Sequence, residues 1–260
     1  MLGFSPRALS LPAPSAGFRA CPVPSMADIV PYVRRSNAGE DQTARMASTA
    51  ARLAVARAAR LLGEPRVSAA PELPQRTVCP GCRGALQWGA AEIECRRCSR
   101  RFPIVDGIPA LLLREDDVED AGGTKWAQAR FFDQEPEAFE LSRPHATTGL
   151  YQWTLGYKFE RSVRGIEDML GGSTVLSVCG GSGLDAEYLA RAGARVVVVD
   201  VSSGAVRRAV SRGRRARLPI TGLVADAERL PFADHSVDIA YVHDGLHHLD
   251  RPRIALAEMA

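Results

Sequence analysis

A glycine-rich turn followed by an acid has the residue types and spacing of a nucleotide site. Cys179, Gly180, Gly181 and Gly183 follow an apolar run, and Asp200 ends a second apolar run seventeen residues after Gly183. Glycines let the backbone approach a ligand closely, and an acid at a strand end can accept both hydroxyls of a ribose. The pattern predicts a site for an adenosine-containing cofactor.

A second group of residues has the spacing of a metal site. Cys79, Cys82, Cys95 and Cys98 form two CxxC pairs separated by twelve residues. Such pairs can turn four thiolates onto one ion, and a complete set of protein ligands predicts a structural Zn²⁺ site rather than a catalytic one. Free or disulfide-bonded cysteines are the alternative.

Arginines are unusually dense around these cysteines. We expect them mainly to offset the negative charge of four thiolates on one Zn²⁺ ion. A nucleic-acid-binding face is the alternative. The arginines concerned are Arg83, Arg96, Arg97, Arg100 and Arg101.

The cofactor residues need a parallel sheet to position them. The alternation of β-branched runs with helix-forming stretches predicts an α/β, doubly wound fold, and Gly193 suits the left-handed C-terminal cap of the first helix. The predicted strands cover residues 174–178, 195–199, 220–224 and 237–242. The predicted helices cover residues 185–192, 203–213 and 251–260.

The turn, the strand that follows it and the segment LVADAERLPFADHSVDIAYV resemble the ordered signature segments of class I S-adenosylmethionine-dependent methyltransferases, over about residues 172–260. The resemblance implies that Asp200 holds the ribose and that Asp226 reaches the adenine amino group. Both acids end strands, where carboxylates have no core-packing reason to lie. Two residues depart from the family pattern: Ser177 replaces an acid and Cys179 a glycine. The implied cofactor contacts are Cys179, Gly180, Gly181, Gly183, Asp200, Val201, Asp226, Ala227 and His243.

The loop after the fourth strand carries candidate catalytic residues. His243, Asp244 and His247 occupy the place where the methyl group meets its acceptor in related enzymes, and a histidine there could remove a proton from a hydroxyl, amine or activated carbon. The alternatives are that these residues orient the loop or, together, bind a metal ion. For His248 we favour a structural role.

The cysteine pairs and the segment RRFPIVDGIPALL resemble the small zinc-ribbon module that accompanies tRNA and protein methyltransferases as an activating subunit. In this segment Ile104, Ile108, Leu111 and Leu112 are expected to cover one side of a small sheet. The predicted organisation is an N-terminal extension over 1–74, a zinc ribbon over 75–113, a linker and helical cap over 114–171, and a partial methyltransferase domain over 172–260.

Composition sets wider bounds on the protein. With 260 residues, 46% apolar and 24% charged, the chain can bury a sizeable core, and its net charge of +3 is too small to argue for nucleic acid. No apolar run is long enough for a membrane span. We expect a cytoplasmic protein, or an organellar one if the acid-poor N-terminus is a transit peptide. The sequence also lacks the later strands of the family, which predicts an incomplete domain and self-association through an exposed strand edge.

These observations predict S-adenosylmethionine-dependent methyl transfer, with a structural Zn²⁺ ion and a small-molecule acceptor, or alternatively an RNA or protein acceptor. Three other functions are consistent with parts of the pattern. They are a zinc-ribbon adaptor whose sheet domain is catalytically silent, an RNA-binding zinc module, and a nicotinamide-dependent oxidoreductase.

Overall fold

The computed structural model describes residues 72, 73, 75–113, 124–135 and 149–260, which lie in one compact unit spanning Ser48–Ala260. The predicted N-terminal extension, apart from its last residues, lies outside the described residues. So do parts of the predicted linker and cap. Among the described residues, no helix has the length and apolarity needed to cross a bilayer.

The first part of the described chain, residues 75–113, is here called the cysteine module. It forms a four-stranded antiparallel sheet in the order β1-β2-β3-β4. Its strands are β1 (Leu86–Trp88), β2 (Glu92–Cys95), β3 (Arg101–Val105) and β4 (Ile108–Pro109). Asp106 and Gly107 join β3 to β4 with φ of 54° and 76°, so a tight hairpin turn forms where Gly107 predicts one.

Residues 172–260, here called the sheet domain, contain a parallel sheet in the order β7-β6-β5-β8. Its strands are β5 (Thr174–Val178), β6 (Arg195–Asp200), β7 (Ile220–Val224) and β8 (Ile239–Val242). In the register, Val175 lies between Val196 and Ile239. The strand order reverses beside β5, and in open parallel sheets ligands bind at such a point, outside the carboxyl ends of the strands.

Within the described residues, five α-helices pack around these sheets. They are α1 (Thr124–Asp133), α2 (Gly149–Ser162), α3 (Leu184–Arg191), α4 (Ser203–Ala216) and α5 (Pro252–Met259). Gly193 follows α3 with φ of 103° and its N–H donates to Ala190 O, so the predicted left-handed C-terminal cap is present. Ser202 caps α4, because its side chain accepts a hydrogen bond from Ala205 N.

The two faces of the parallel sheet pack against different partners, as the period of two along each strand requires. On one face, Val175, Val196 and Val198 contact side chains of α2, α3 and α4. On the other, Leu176 and Val197 share a core with Ala255 of α5 and with the cysteine module. The residues that the cysteine module supplies to this core are Cys79, Ile93, Cys95, Phe102, Leu111 and Leu113.

Backbone hydrogen bonds also join the cysteine module to the sheet domain. Val78 N donates to Pro231 O at 3.0 Å, and Ala233 N donates to Arg76 O at 2.9 Å. Ala110 forms a parallel bridge with Val224 at the outer edge of β7. The cysteine module is therefore packed into the same fold as the sheet domain and is not a separate domain.

The apolar residues expected to cover one side of the small sheet are divided between two cores. Leu111 is fully buried in the core that the module shares with α5, and Ile104 packs against that core. Ile108 and Leu112 instead pack with Val206 of α4, beside β7. The expectation of one common side was wrong, because the module lies against the larger sheet and its apolar residues pack on two different parts of it.

Candidate functional site

A cavity of about 280 Å³ opens at the carboxyl ends of the four parallel strands. The glycine-rich turn after β5, the ends of β6 and β7 and the loop after β8 form its floor, and α1 covers one side. Eight of the nine predicted cofactor residues line it, together with Asp244. The lining from this prediction comprises Cys179, Gly180, Gly181, Asp200, Val201, Asp226, Ala227 and His243.

The glycines of the turn are needed for different physical reasons. Gly181 has φ of 51°, and a Cβ added there would meet nothing within 4 Å, so its backbone faces open space at the cavity. Gly180 packs against the strands, because an added Cβ would lie 2.8 Å from Val198 Cγ1. Gly183 does not line the cavity: an added Cβ would lie 2.8 Å from Ala209 Cβ, so this glycine lets α3 pack closely against α4.

Cys179, which stands where the family pattern has a glycine, adopts φ of 53°. The space for its side chain is provided by Gly245, where an added Cβ would lie 2.4 Å from Cys179 Cβ. Burial raises the pKa of the Cys179 thiol to about 12, and the Asp200 carboxylate adds to the effect. The thiol therefore stays protonated and is a poor nucleophile.

Asp200, at the end of β6, is already held by the backbone. Its Oδ2 accepts from Gly181 N and its Oδ1 from Ser202 N, both at 2.9 Å. Burial raises its pKa, and these N–H groups oppose that shift. The premise that acids at these strand ends lack a structural reason is therefore wrong for Asp200, which fixes the turn. Each oxygen keeps a lone pair that a hydroxyl can still use.

Asp226, after β7, belongs to a buried ionic network. Lys125 Nζ of α1 lies 2.9 Å from Asp226 Oδ2 and 3.0 Å from Glu228 Oε2. Asp226 Oδ1 accepts from Glu228 N, and Glu228 Oε2 also pairs with Arg251 Nε at 3.0 Å. Burial disfavours the charged forms of both Lys125 and Glu228. The Asp226 and Glu228 carboxylates nevertheless raise the pKa of Lys125. Likewise, Arg251 and Lys125 lower the pKa of Glu228. The network ties α1 to the cavity wall.

His243, after β8, pairs with a carboxylate across the cavity. Its Nδ1 lies 2.9 Å from Asp185 Oδ2, which belongs to the first turn of α3, and both residues line the cavity. The hydrogen bond to Asp185 raises the pKa of His243. Asp244 forms an ion pair with Lys158 of α2, and this contact lowers the pKa of Asp244.

Of the other two histidines in this loop, His248 lines the cavity and His247, the catalytic candidate, does not. His247 is instead exposed to solvent. The ring of His248 lies 4.0 Å from that of His247 and 5.9 Å, edge on, from that of Phe132. Burial, followed by the neighbouring His247, lowers the pKa of His248. The loop forms a single 3-10 turn over Leu246–His248, which points consecutive side chains in different directions.

The four cysteines form a second candidate site, in the cysteine module. Their sulfurs all lie within 4.8 Å of one another, with 3.7 Å between Cys79 and Cys98 and 3.5 Å between Cys82 and Cys95. Four sulfurs held about 2.3 Å from a tetrahedral ion would lie about 3.8 Å apart. The donor set and its spacing therefore fit a four-coordinate metal ion such as Zn²⁺.

The two CxxC turns have the same backbone design. Arg83 N donates to Cys79 O at 2.8 Å, and Ser99 N donates to Cys95 O at 2.9 Å. The residue after each pair is left-handed, with φ of 59° at Arg83 and 56° at Ser99. Gly84 is needed for space, since an added Cβ would lie 2.6 Å from Arg97 Cβ and 3.2 Å from two cysteine sulfurs.

The electrostatics of the cysteines differ with their surroundings. Burial raises the pKa of Cys79 to about 12, whereas hydrogen bonds from the backbone and side chain of Arg100 lower that of Cys98 to about 6. The other arginines are not all directed at the thiols. Arg83 binds Leu230 O and Asp234 of the sheet domain, and Arg101 pairs with Glu92.

Three cavity residues, Lys125, Asp185 and Phe132, were not predicted from the sequence, and neither was Lys158, which pairs with Asp244 beside the cavity. Lys125 and Lys158 are the chain's two lysines, and each pairs with a carboxylate beside the site. That rarity was a signal in the sequence. Asp185 and Phe132, which also line the cavity, carry no such signal because their neighbours in the sequence do not reveal what they face.

Comparisons with known proteins agree with this arrangement. A family profile described as a methyltransferase domain matches residues 176–260. The demethylmenaquinone methyltransferase of Renibacterium salmoninarum is 41% identical over 88 residues, which are 34% of this chain and 35% of that protein. The enzyme of the same name from Paenarthrobacter aurescens is 37% identical over 102 residues, 39% of each chain. The chain thus spans less than half the length of these curated relatives.

Among solved structures, this chain is similar to magnesium protoporphyrin IX methyltransferase from Synechocystis PCC 6803 with bound SAH. The match covers 52% of this chain and 68% of that chain, with 20% identity and a TM-score of 0.41. The profile match, the strand order and the cavity at the strand ends belong to the same residues. The predicted fold class is confirmed, and residues 176–260 match a methyltransferase domain.

Proposed function

We propose that this protein transfers a methyl group from S-adenosylmethionine to a carbon of a hydroxylated aromatic small molecule, of which demethylmenaquinone in its reduced form is the example. One observation carries the proposal. The open backbone of Gly181, the Asp200 carboxylate and the His243 imidazole all line one cavity at the strand ends. This arrangement supports the proposal, because one ligand could contact both the turn and the imidazole.

The cavity fits the cofactor in the chemistry of its groups. Gly181 leaves room for close approach, Asp200 offers lone pairs to ribose hydroxyls, and Phe132 and Leu249 supply apolar surface. Its carboxylates suit a cationic sulfonium. S-adenosylmethionine, when bound, supplies an electrophilic methyl group. The chain's own residues then need to hold the acceptor in line with that group and remove one proton.

His243 is the residue proposed to take the proton. With Nδ1 directed at Asp185, Nε2 remains to accept a proton from an acceptor hydroxyl. An ionised hydroxyl on an aromatic ring would raise the electron density of the neighbouring ring carbon, and this carbon would accept the methyl group that a bound cofactor supplies. The proton of that ring carbon would then pass to solvent, and the oxygen would regain the proton held by His243, so that one proton is released overall. Asp244, held by Lys158, lies beside His243 at the cavity.

The choice of acceptor is supported by the relatives' names. Several curated relatives are called demethylmenaquinone methyltransferases, and the methyltransferase family profile matches residues 176–260, which form much of the cavity. The cavity lining also includes the apolar side chains of Ala129 and Leu184, which suit a ring-shaped acceptor. Binding of RNA or protein acceptors is a separate hypothesis, which the same experiment can test.

We also propose that Cys79, Cys82, Cys95 and Cys98 hold a structural Zn²⁺ ion. Their sulfurs have tetrahedral spacing, and all four coordination positions would be filled by protein. The ion would stabilise a module whose strands are short, and through the shared core it would support the sheet domain.

A two-step experiment tests the function. Calorimetry should first show binding of S-adenosylhomocysteine and no comparable binding of reduced nicotinamide cofactors. Mass spectrometry should then show addition of one methyl group to a short-chain demethylmenaquinone kept reduced with dithionite, and none to bulk tRNA. Asp168→Asn, an exposed substitution, is the control. Tight cofactor binding with no methylated product from the quinol would contradict the proposed acceptor, and absence of cofactor binding would contradict the proposal as a whole.

A further inference from the structure

The geometry points to Asp185 as a positioning residue that holds the His243 imidazole by Nδ1 and so directs Nε2 at the acceptor; this inference rests on the proposed function. Asp185 belongs to none of the sequence motifs described above, and its contact with His243 is visible only in the folded chain. Its Oδ2 lies 2.9 Å from His243 Nδ1, across 58 residues of sequence.

The placement of Asp185 is rigid. It lies in the first turn of α3, directly after the cofactor-binding turn, and α3 packs on the sheet through fully buried Ala186 and Leu189. The His243 partner follows β8, which pairs with β5. The hydrogen bond therefore links the two segments that border the reaction centre, and any shift of α3 would move the imidazole.

The chemistry of the pair is that of a carboxylate and an imidazole. An acceptor at Nδ1 fixes the tautomer whose hydrogen is on Nδ1, which leaves the lone pair of Nε2 free to take a proton, and the carboxylate stabilises the cation that results. The two side chains are 19% and 25% exposed, so water weakens this interaction only in part. No other described carboxylate makes a hydrogen bond to His243 that would replace it.

Other charged groups also face His243. The Asp244 carboxylate, like that of Asp185, raises the pKa of His243, whereas burial and the Lys158 ammonium lower it. The contact with Asp185 is the largest contribution and raises the pKa of His243. The neutral, base form consequently predominates only above this raised pKa, and removal of the Asp185 charge should move the transition to lower pH.

The first test does not depend on catalysis. Titration of the histidine ring signals by NMR should show that His243 loses its proton at a lower pH in Asp185→Asn than in the wild type, with the exposed His235 as internal reference. Asp185→Glu, which keeps the charge, should restore much of the difference. An unchanged His243 titration in Asp185→Asn would overturn the pairing, whether or not the protein transfers methyl groups.

The second test uses kinetics on the short-chain demethylmenaquinol. Asp185→Asn should lower kcat by about tenfold or more and move the acid limb of the rate profile to lower pH, while the affinity for S-adenosylhomocysteine stays within about twofold. Asp168→Asn should change none of these. If the wild type is active and Asp185→Asn has an unchanged acid limb, the inference fails and the proposed function stands. An inactive wild type defeats both as statements about catalysis.

Discussion

Lys125 and Asp226 are joined by a buried ion pair, with 2.9 Å between Nζ and Oδ2, that links α1 to the end of β7. The side chains are 6% and 10% exposed, and Lys125 also reaches the fully buried carboxylate of Glu228. Removal of the ammonium would take away the cation that the buried Asp226 carboxylate pairs with and would leave Glu228 paired with Arg251. Helix α1 thus contributes a structural charge to the wall of the cavity that it covers.

We predict that Lys125→Met lowers the free energy of unfolding by about 3–5 kcal/mol, the usual cost of removing one partner from a buried ion pair. The chain offers a matched control in its other lysine. Lys158→Met breaks an ion pair whose side chains are 44% and 63% exposed, and should cost less than about 1 kcal/mol. Urea denaturation measures both, and equal losses would contradict the structural role of Lys125.

The pH dependence of stability should reveal the same network. The pKa of Glu228 is lowered because the Arg251 N–H and the Lys125 ammonium outweigh burial. A lowered folded-state pKa contributes stability above the usual carboxyl value of 4.5, and that contribution is lost as the pH falls through the folded-state value. Urea midpoints should therefore fall on acidification below about pH 4.5, and less steeply in Glu228→Gln than in Asp168→Asn. Parallel acid curves for these two variants would disagree with this account.

Asp200→Ala should weaken binding of S-adenosylhomocysteine by about 1.5–3 kcal/mol, measured by calorimetry. The expected loss has two sources, which are the ribose contact and the two N–H groups of Gly181 and Ser202 that the carboxylate holds. Asp133→Asn is a useful comparison, because Asp133 accepts hydrogen bonds from Ser202 Oγ and Gly204 N without lining the cavity. Unchanged affinity in Asp200→Ala would remove the ribose assignment.

The histidines of the last loop should separate by position. His243→Ala should reduce turnover of the quinol by about a hundredfold or more with little change in cofactor affinity. His247→Ala should have a small effect, because His247 is exposed and outside the cavity. Steady-state kinetics of both variants decides the matter. A larger loss in His247→Ala than in His243→Ala would assign the base to the other residue.

Elemental analysis should find about one Zn²⁺ per chain, as four thiolate ligands imply. The double variant Cys95→Ser, Cys98→Ser should lose it, while Cys179→Ser should retain it because Cys179 lies apart from the cluster of four sulfurs. Since the cysteines share a core with the sheet domain, chelation at equilibrium should also lower the melting temperature of the whole described unit. Full zinc content in the double variant would show that other ligands hold the ion.

Much of the sheet could be predicted from local sequence. β5 and β7 have the predicted bounds, and β6 and β8 differ by one or two residues, because β-branched runs between turn residues define buried strands well. The helix ends shifted more, as at α4, which continues to Ala216. Its end depends on the left-handed Arg217, a conformation that the sequence does not advertise.

The site was predictable only where it is formed by segments that follow the strands. The turn at Gly181 and the acids Asp200 and Asp226 follow directly from strand ends. The Lys125–Asp226 and Asp185–His243 contacts join residues 101 and 58 positions apart, so no local pattern contains them. Whether His247 or His248 lines the cavity depends on the direction of a single 3-10 turn, which no local sequence pattern indicates.

The contact between Cys179 and Gly245 has a consequence for sequence comparison. Because the two Cβ positions would lie 2.4 Å apart, only one of the two residues can carry a side chain without a backbone shift. The space that a glycine would leave in the glycine-rich turn is thereby supplied by a residue in another loop. Related chains should therefore exchange the two positions together: those with glycine at 179 can accept alanine or serine at 245, and those with cysteine at 179 should not. A motif scored one position at a time would count this pair as a defect.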